Sequence, residues 1–282
     1  MSIDILSSYC TGHPIKTQQR SGDKETAMRI ACGMDIGTNS FRLLVAEVHD
    51  GRLQPLVHDL VTVRLGEGLG KSGLLAPAAL KRAEAALLRF AGKMAPYPVH
   101  SVRVCATHAV RSAANRKEFL QRGEALTGFP IEVLSGEEEA RLALLGVLSG
   151  LSDERRSPLL LVDVGGGSSE IILQRRAGSE PKVMSLPLGA VGLHEEFGAD
   201  CEAMRVKIQA TVAPALRRIF DGELAGQAVT LMASGGTATG LAALALGLER
   251  YDARRVQNYN LSQAALQGQL ARLAALSPGE RN

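Results

Sequence analysis

The chain has 282 residues, of which 45% are hydrophobic and 22% charged, and its formal net charge is +3. That length and composition allow two soluble domains, each with its own core. So small a net charge, with 4% aromatic residues and no tryptophan, excludes nucleic-acid binding built on a basic surface or on base stacking, and no run approaches the roughly 18 apolar residues of a membrane span.

Residues 1–27 are polar and irregular and are expected to be a disordered leader, or the product of an upstream start with Met28 as the true beginning. Strands are predicted from Arg29 to Asp35, Phe41 to Val48 and Arg52 to Leu65, with His49-Asp50-Gly51 as a turn. Gly66-Glu67-Gly68-Leu69-Gly70 reads as a flexible loop. Pro77 to Met94 has helical spacing, with Leu80, Ala83, Leu87, Leu88 and Phe90 as its apolar set. A strand from Val99 to Ala106 leads through Thr107 into one helix ending near Leu126, and Ile131 to Leu134 is a short strand. Ser135 with Glu138 three residues on fits a capping box, and Glu137, Glu138 and Glu139 suit the positive end of the helix that follows.

The polar stretch from Leu151 to Pro158 marks the expected boundary, giving domains at 28–150 and 151–282. Beyond it, the run from Leu159 to Leu173 reads as strand, tight turn, strand. Its turn, Gly165-Gly166-Gly167-Ser168, can bring backbone N–H groups against a phosphate, and Asp163 and Glu170 flank it as ligands for a hard divalent cation. An earlier copy, Asp35-Ile36-Gly37-Thr38-Asn39-Ser40, aligns Asp35 with Asp163, Gly37 with Gly165 and Ser40 with Ser168. Two acidic, glycine-bearing hairpins point to a duplicated domain with two phosphate loops on one cleft. Two ordinary hairpins are the plainer alternative, since turns favour these residues anyway.

A strand from Lys182 to Leu188 follows, and Gly189 to Leu193 loosely matches the earlier glycine loop. A helix is expected from Cys201 to Leu224. Val229 to Thr239 is strand, glycine turn and helix, so Gly235, Gly236 and Thr237 could add a third phosphate contact, or merely turn the chain. Tyr259 to Leu276 is the last amphipathic helix.

These segments, with Arg64-Leu65-Gly66-Glu67-Gly68-Leu69, Ala106-Thr107-His108-Ala109-Val110-Arg111 and Ser135-Gly136-Glu137-Glu138-Glu139-Ala140-Arg141-Leu142, resemble the exopolyphosphatase / guanosine pentaphosphate phosphohydrolase (Ppx/GppA) family of the actin-like, sugar-kinase and heat-shock ATPase superfamily. The resemblance implies an α/β fold of two duplicated ribonuclease-H-like (actin-like) domains around a cleft. It implies Mg²⁺-dependent release of terminal phosphate from polyphosphate or guanosine pentaphosphate. By the same resemblance Glu139 is the catalytic base. In residue chemistry, Asp163 and Glu170 would hold Mg²⁺, Arg111 would bind phosphate oxygens, and the amides of Gly37 to Ser40 and Gly165 to Ser168 would cradle phosphates. Arg42 could bind phosphate or pair with a carboxylate, and His108 reads as structural.

By the family's pattern the second domain continues past Asn282, so it is expected to be C-terminally incomplete, with an unpaired sheet edge and a tendency to homodimerise. Two competing readings are a non-hydrolytic alarmone or polyphosphate sensor and an actin-like ATPase or sugar kinase. Cys10, Cys32, Cys105 and Cys201 are too scattered for a zinc site or a disulfide framework, and Cys32 and Cys105 read as buried thiols. With no apolar signal segment, a cytoplasmic location is expected.

Overall fold

The computed structural model describes residues 29–49, 52–152, 158–221 and 227–281. The expected leader at 1–27 lies outside them. The first sheet holds β1 (Arg29–Ile36), β2 (Ser40–His49), β3 (Arg52–Thr62), β4 (Ser101–Ala106) and β5 (Ile131–Val133), in the order β3-β2-β1-β4-β5. β1, β2 and β3 form an antiparallel meander, while β4 and β5 run parallel to β1. β1 is buried from Ile30 to Ile36, as a central strand covered on both faces must be.

The second sheet holds β6 (Leu159–Val164), β7 (Ser169–Gln174), β8 (Lys182–Leu186) and β9 (Thr230–Ser234), in the order β8-β7-β6-β9. Here too a three-strand meander is followed by a parallel fourth strand beside the first. The duplication expected from the two hairpins is therefore a duplication of sheet topology. Among the described residues the second sheet has no counterpart of β5. β9 is its outer strand, and Leu231 there is 69% exposed.

Ten helices among the described residues are α1 (Leu69–Ser72), α2 (Pro77–Met94), α3 (His108–Ser112), α4 (Arg116–Thr127), α5 (Gly136–Ser149), α6 (Ala190–Phe197), α7 (Cys201–Phe220), α8 (Gly235–Ala245), α9 (Ala253–Val256) and α10 (Gln263–Ala275). α2 starts on Pro77 and buries Leu80, Ala83, Leu87 and Phe90 in the first core. Leu88, expected in that set, is one helical step away and points outward at 54% exposure. The helix expected after Thr107 is two, because Ala113 is extended and Asn115 ties its side chain to both backbone groups of Leu75. The glycine-rich stretch at 66–70 turns at left-handed Gly68 directly into α1. The last long helix begins at Gln263 under a Ser262 cap, not at Tyr259. The end of the helix expected to reach Leu224 lies partly outside the described residues.

α5 positions the site. Its N-terminus carries the expected capping box, with Glu138 N–H on Ser135 Oγ at 3.2 Å and Ser135 N–H on Glu138 Oε2 at 2.8 Å. One face, Ala140 and Leu144, packs with Leu159, Leu161 and Ile172 of the second sheet. Leu142 turns the other way, onto Cys105 and Leu134 of the first. The helix thus lies between the two halves.

Candidate active site

Both glycine turns close in the same way. Gly37 N–H donates to Ser40 O at 3.2 Å, and Gly165 N–H donates to Ser168 O at 3.0 Å. The two turns meet. A Cβ on Gly166 would lie 3.2 Å from Asn39 Cβ, and one on Gly167 would lie 2.3 Å from the His108 ring and 2.8 Å from Thr38 Oγ1. The structure thus brings Thr38 and Asn39 face to face with Gly166 and Gly167, with Ser40 and Ser168 closing the turns. Burial, and then the charge of Arg111, lower the His108 pKa, so its imidazole is held neutral against the second turn.

The strands leading into the turns carry the acids. Asp35 on β1 stands opposite Arg42 on β2, and Asp163 on β6 stands opposite Glu170 on β7. In the first hairpin the pair neutralises itself: Arg42 Nη1 donates to Asp35 Oδ2 at 3.0 Å. In the second hairpin the same place holds a second carboxylate. Glu170 Oε1 accepts from Ser185 Oγ at 2.9 Å, and neither Asp163 nor Glu170 has an ion-pair partner among the described residues.

Glu139, in the first turn of α5, is the fourth buried acid here. Arg111 Nη1 reaches its Oε2 at 3.1 Å and also donates to Leu134 O at 2.7 Å. Burial, and then the charge of Glu170, push the Glu139 pKa up to about 8, against the pull of Arg111. Burial raises Glu170 to about 7, opposed by the Ser185 and Ser168 hydroxyls. Burial also raises Asp163. Asp35 is fully buried, and its Oδ1 has no hydrogen-bond partner.

Four carboxylates thus share this region with two guanidinium groups, Arg42 and Arg111, so that the fully ionised cluster would carry two unmatched negative charges. That imbalance fits a divalent cation on Asp163 and Glu170. Among the described residues no three His, Cys, Asp or Glu side chains form a ready-made cage. Two carboxylates with retained waters is how a protein commonly holds Mg²⁺.

The start of α8 completes the second half of the site. Gly235 is left-handed at φ +89°, and a Cβ there would lie 2.7 Å from Asp163 Oδ1. Gly236 and Thr237 are exposed on the first turn of that helix. Beside the acids, and not around them, lies a cavity of about 550 Å³. Thr38, Gly66, His108, Gly166, Gly167 and Gly189 line its wall, while Glu139, Asp163 and Glu170 do not. Sequence reasoning left Arg42 between phosphate and an unnamed carboxylate, which the structure identifies as Asp35, and it missed Ser185 as the partner of Glu170. Only the alignment of the two hairpins signalled the first, and nothing local signalled the second.

Residues 44–281 match the model of the Ppx/GppA phosphatase family. The fold resembles the crystal structure of an exopolyphosphatase-like protein, with TM-score 0.82 and 33% identity, covering 90% of this chain and 80% of that one. An exopolyphosphatase from Cytophaga hutchinsonii is similar with TM-score 0.78 and 25% identity, over 90% of this chain and 82% of that one. A Ppx/GppA family member from Aquifex aeolicus gives 0.71 and 27%, over 90% and 82%.

Proposed function

The chain belongs to the Ppx/GppA phosphatase family, and from that premise we propose that it hydrolyses the terminal phosphoanhydride of polyphosphate or guanosine pentaphosphate. The observation that carries this reading is the placement of Glu139. It is buried between the two halves, held by Arg111, with a pKa pushed up to about 8. Burial makes this carboxylate a stronger base than an ordinary one, and a cation that offset the repulsion from Glu170 would leave it ionised and able to accept a proton from water.

In the proposed reaction Glu139 accepts a proton from the attacking water. Arg111 holds the Glu139 carboxylate and offers its remaining N–H groups to phosphate oxygens. The amides of the turns at Gly37 to Ser40 and Gly165 to Ser168 cradle the phosphates, with Gly235 to Thr237 at the edge. Asp163 and Glu170 are the residues that would hold Mg²⁺, which would supply charge neutralisation to the transferred phosphoryl group.

The test is phosphate release by the purified protein with Mg²⁺, given polyphosphate and guanosine pentaphosphate in parallel. Glu139→Gln is expected to lower the rate by about 10²–10⁴-fold. Binding without release, unchanged in Glu139→Gln, would sink the hydrolase and leave a sensor.

A further inference from the structure

A second tie spans the cleft away from the acids. Gly68 N–H, at the start of α1 in the first half, donates to Glu195 Oε1 on α6 of the second half at 2.7 Å. The other oxygen of that carboxylate lies over Gly70, where a Cβ would be 3.9 Å away. Each end of this contact is fixed to one of the glycine turns. On the first side, Gly66 N–H donates to Thr38 O at 2.9 Å, and Leu69 N–H donates to Gly66 O at 3.1 Å. On the second side, the first turn of α6 hangs from the other loop: Ala190 N–H donates to Gly165 O at 3.0 Å and Val191 N–H to Gly166 O at 2.8 Å. The path Thr38, Gly66, Gly68, Glu195, Gly166 therefore joins the two turns, and all of it but Gly68 lines the 550 Å³ cavity.

We propose that Glu195 is a positioning residue, a clasp whose bond to Gly68 sets the spacing of the two phosphate turns. Among the described residues the turns themselves meet by close approach of Gly166 and Gly167 to Thr38, Asn39 and His108, with no hydrogen bond between the two turns. Such contact resists closer approach but holds separation weakly. A short bond from a carboxylate to a backbone N–H is directional and charge-assisted. Without it the closed arrangement becomes one state among several, and apparent affinity falls by the fraction of molecules that remain competent. Phosphate transfer within a correctly closed molecule is unaffected.

The kinetic arm rests on the phosphatase reading, and a distance arm does not. Glu195→Ala is expected to raise KM about tenfold with kcat within about twofold. Glu195→Gln keeps a carbonyl oxygen for Gly68 N–H and should restore KM to within about twofold of the parent. For the distance arm, spin labels go on Leu88→Cys in the first half and on the exposed Cys201 in the second, in a Cys10→Ser background. Cys32 and Cys105 stay unlabelled because both are buried and burial pushes their pKa up to about 12. Pulsed EPR without substrate should show one narrow distance for the parent and Glu195→Gln, and a broadened one for Glu195→Ala with unchanged circular dichroism. A parent-like distance distribution in Glu195→Ala would overturn the clasp, as would equal damage from both variants or a loss in kcat alone. If the parent releases no phosphate, the hydrolase reading fails and the distances still decide.

Discussion

Glu139 is held where a carboxylate is least at ease, and its protonation should be visible in stability. Its pKa is about 8 in the fold, against an ordinary 4.5. The folded chain therefore binds a proton that the unfolded chain releases. That contribution is complete below about 4.5 and is lost as pH rises through 8. With cations chelated, Glu139→Gln is expected to raise Tm by about 2–8 °C at pH 8 and to leave it unchanged near pH 4. Thermal scans at the two pH values check this; a gain at pH 4 as large as at pH 8 would remove burial of the charge as the cause. A cation on Asp163 and Glu170 would draw this pKa down, so phosphate release is expected to climb with pH and to level off below about 8, because the base must be unprotonated to act. At this scale the sequence was informative where residue type and motif coincide, as at Glu139, Asp163 and Glu170. It was silent on partners such as Ser185, which reaches Glu170 only because β8 lies beside β7 in the folded sheet.

Among the elements, α6 has little freedom at its start, where it follows the second sheet's β8. Gly189 precedes it, and a Cβ there would lie 2.4 Å from the backbone of Gly166 and Gly167. Backbone cannot swing aside as a side-chain tip can. Gly189→Ala should therefore pry α6 from the phosphate turn, costing about 1–3 kcal/mol and most of the activity. Gly178→Ala, at a left-handed position with open space around it, should cost about 1 kcal/mol and leave activity alone. Chemical denaturation with parallel assays separates the two. Strand positions were readable because alternating or fully apolar runs fix them. Helix breaks were not, since the extended Ala113 follows from a long-range tie between Asn115 and Leu75 and not from local propensity. The 66–70 stretch read as loose because it is rich in glycine. Its order comes from Thr38 and Glu195, residues far along the chain in opposite directions.

For the whole molecule, the second sheet repeats the first four strands of the first, and the charge on the strand opposite the acid changes sign, Arg42 in the first hairpin and Glu170 in the second. That change pairs the acid of the first hairpin with a guanidinium and sets two carboxylates opposite each other in the second, and the duplication was legible because the turn residues match. The outer strand β9 is less well covered. Leu231 faces solvent on an edge that presents unpaired backbone groups. Leu231→Glu is expected to reduce concentration-dependent association in light scattering without altering phosphate release; unchanged association would place the contact elsewhere. The position of α5 has a further consequence, for synthesis on the ribosome. The helix is complete at Ser149, but the surface that receives Ala140 and Leu144 is made of Leu159, Leu161 and Ile172. A nascent chain that has just emitted α5 must hold its apolar stripe uncovered until the next hairpin emerges. The candidate base rides on that stripe, so the acid cluster forms only when the second repeat docks on a helix translated with the first.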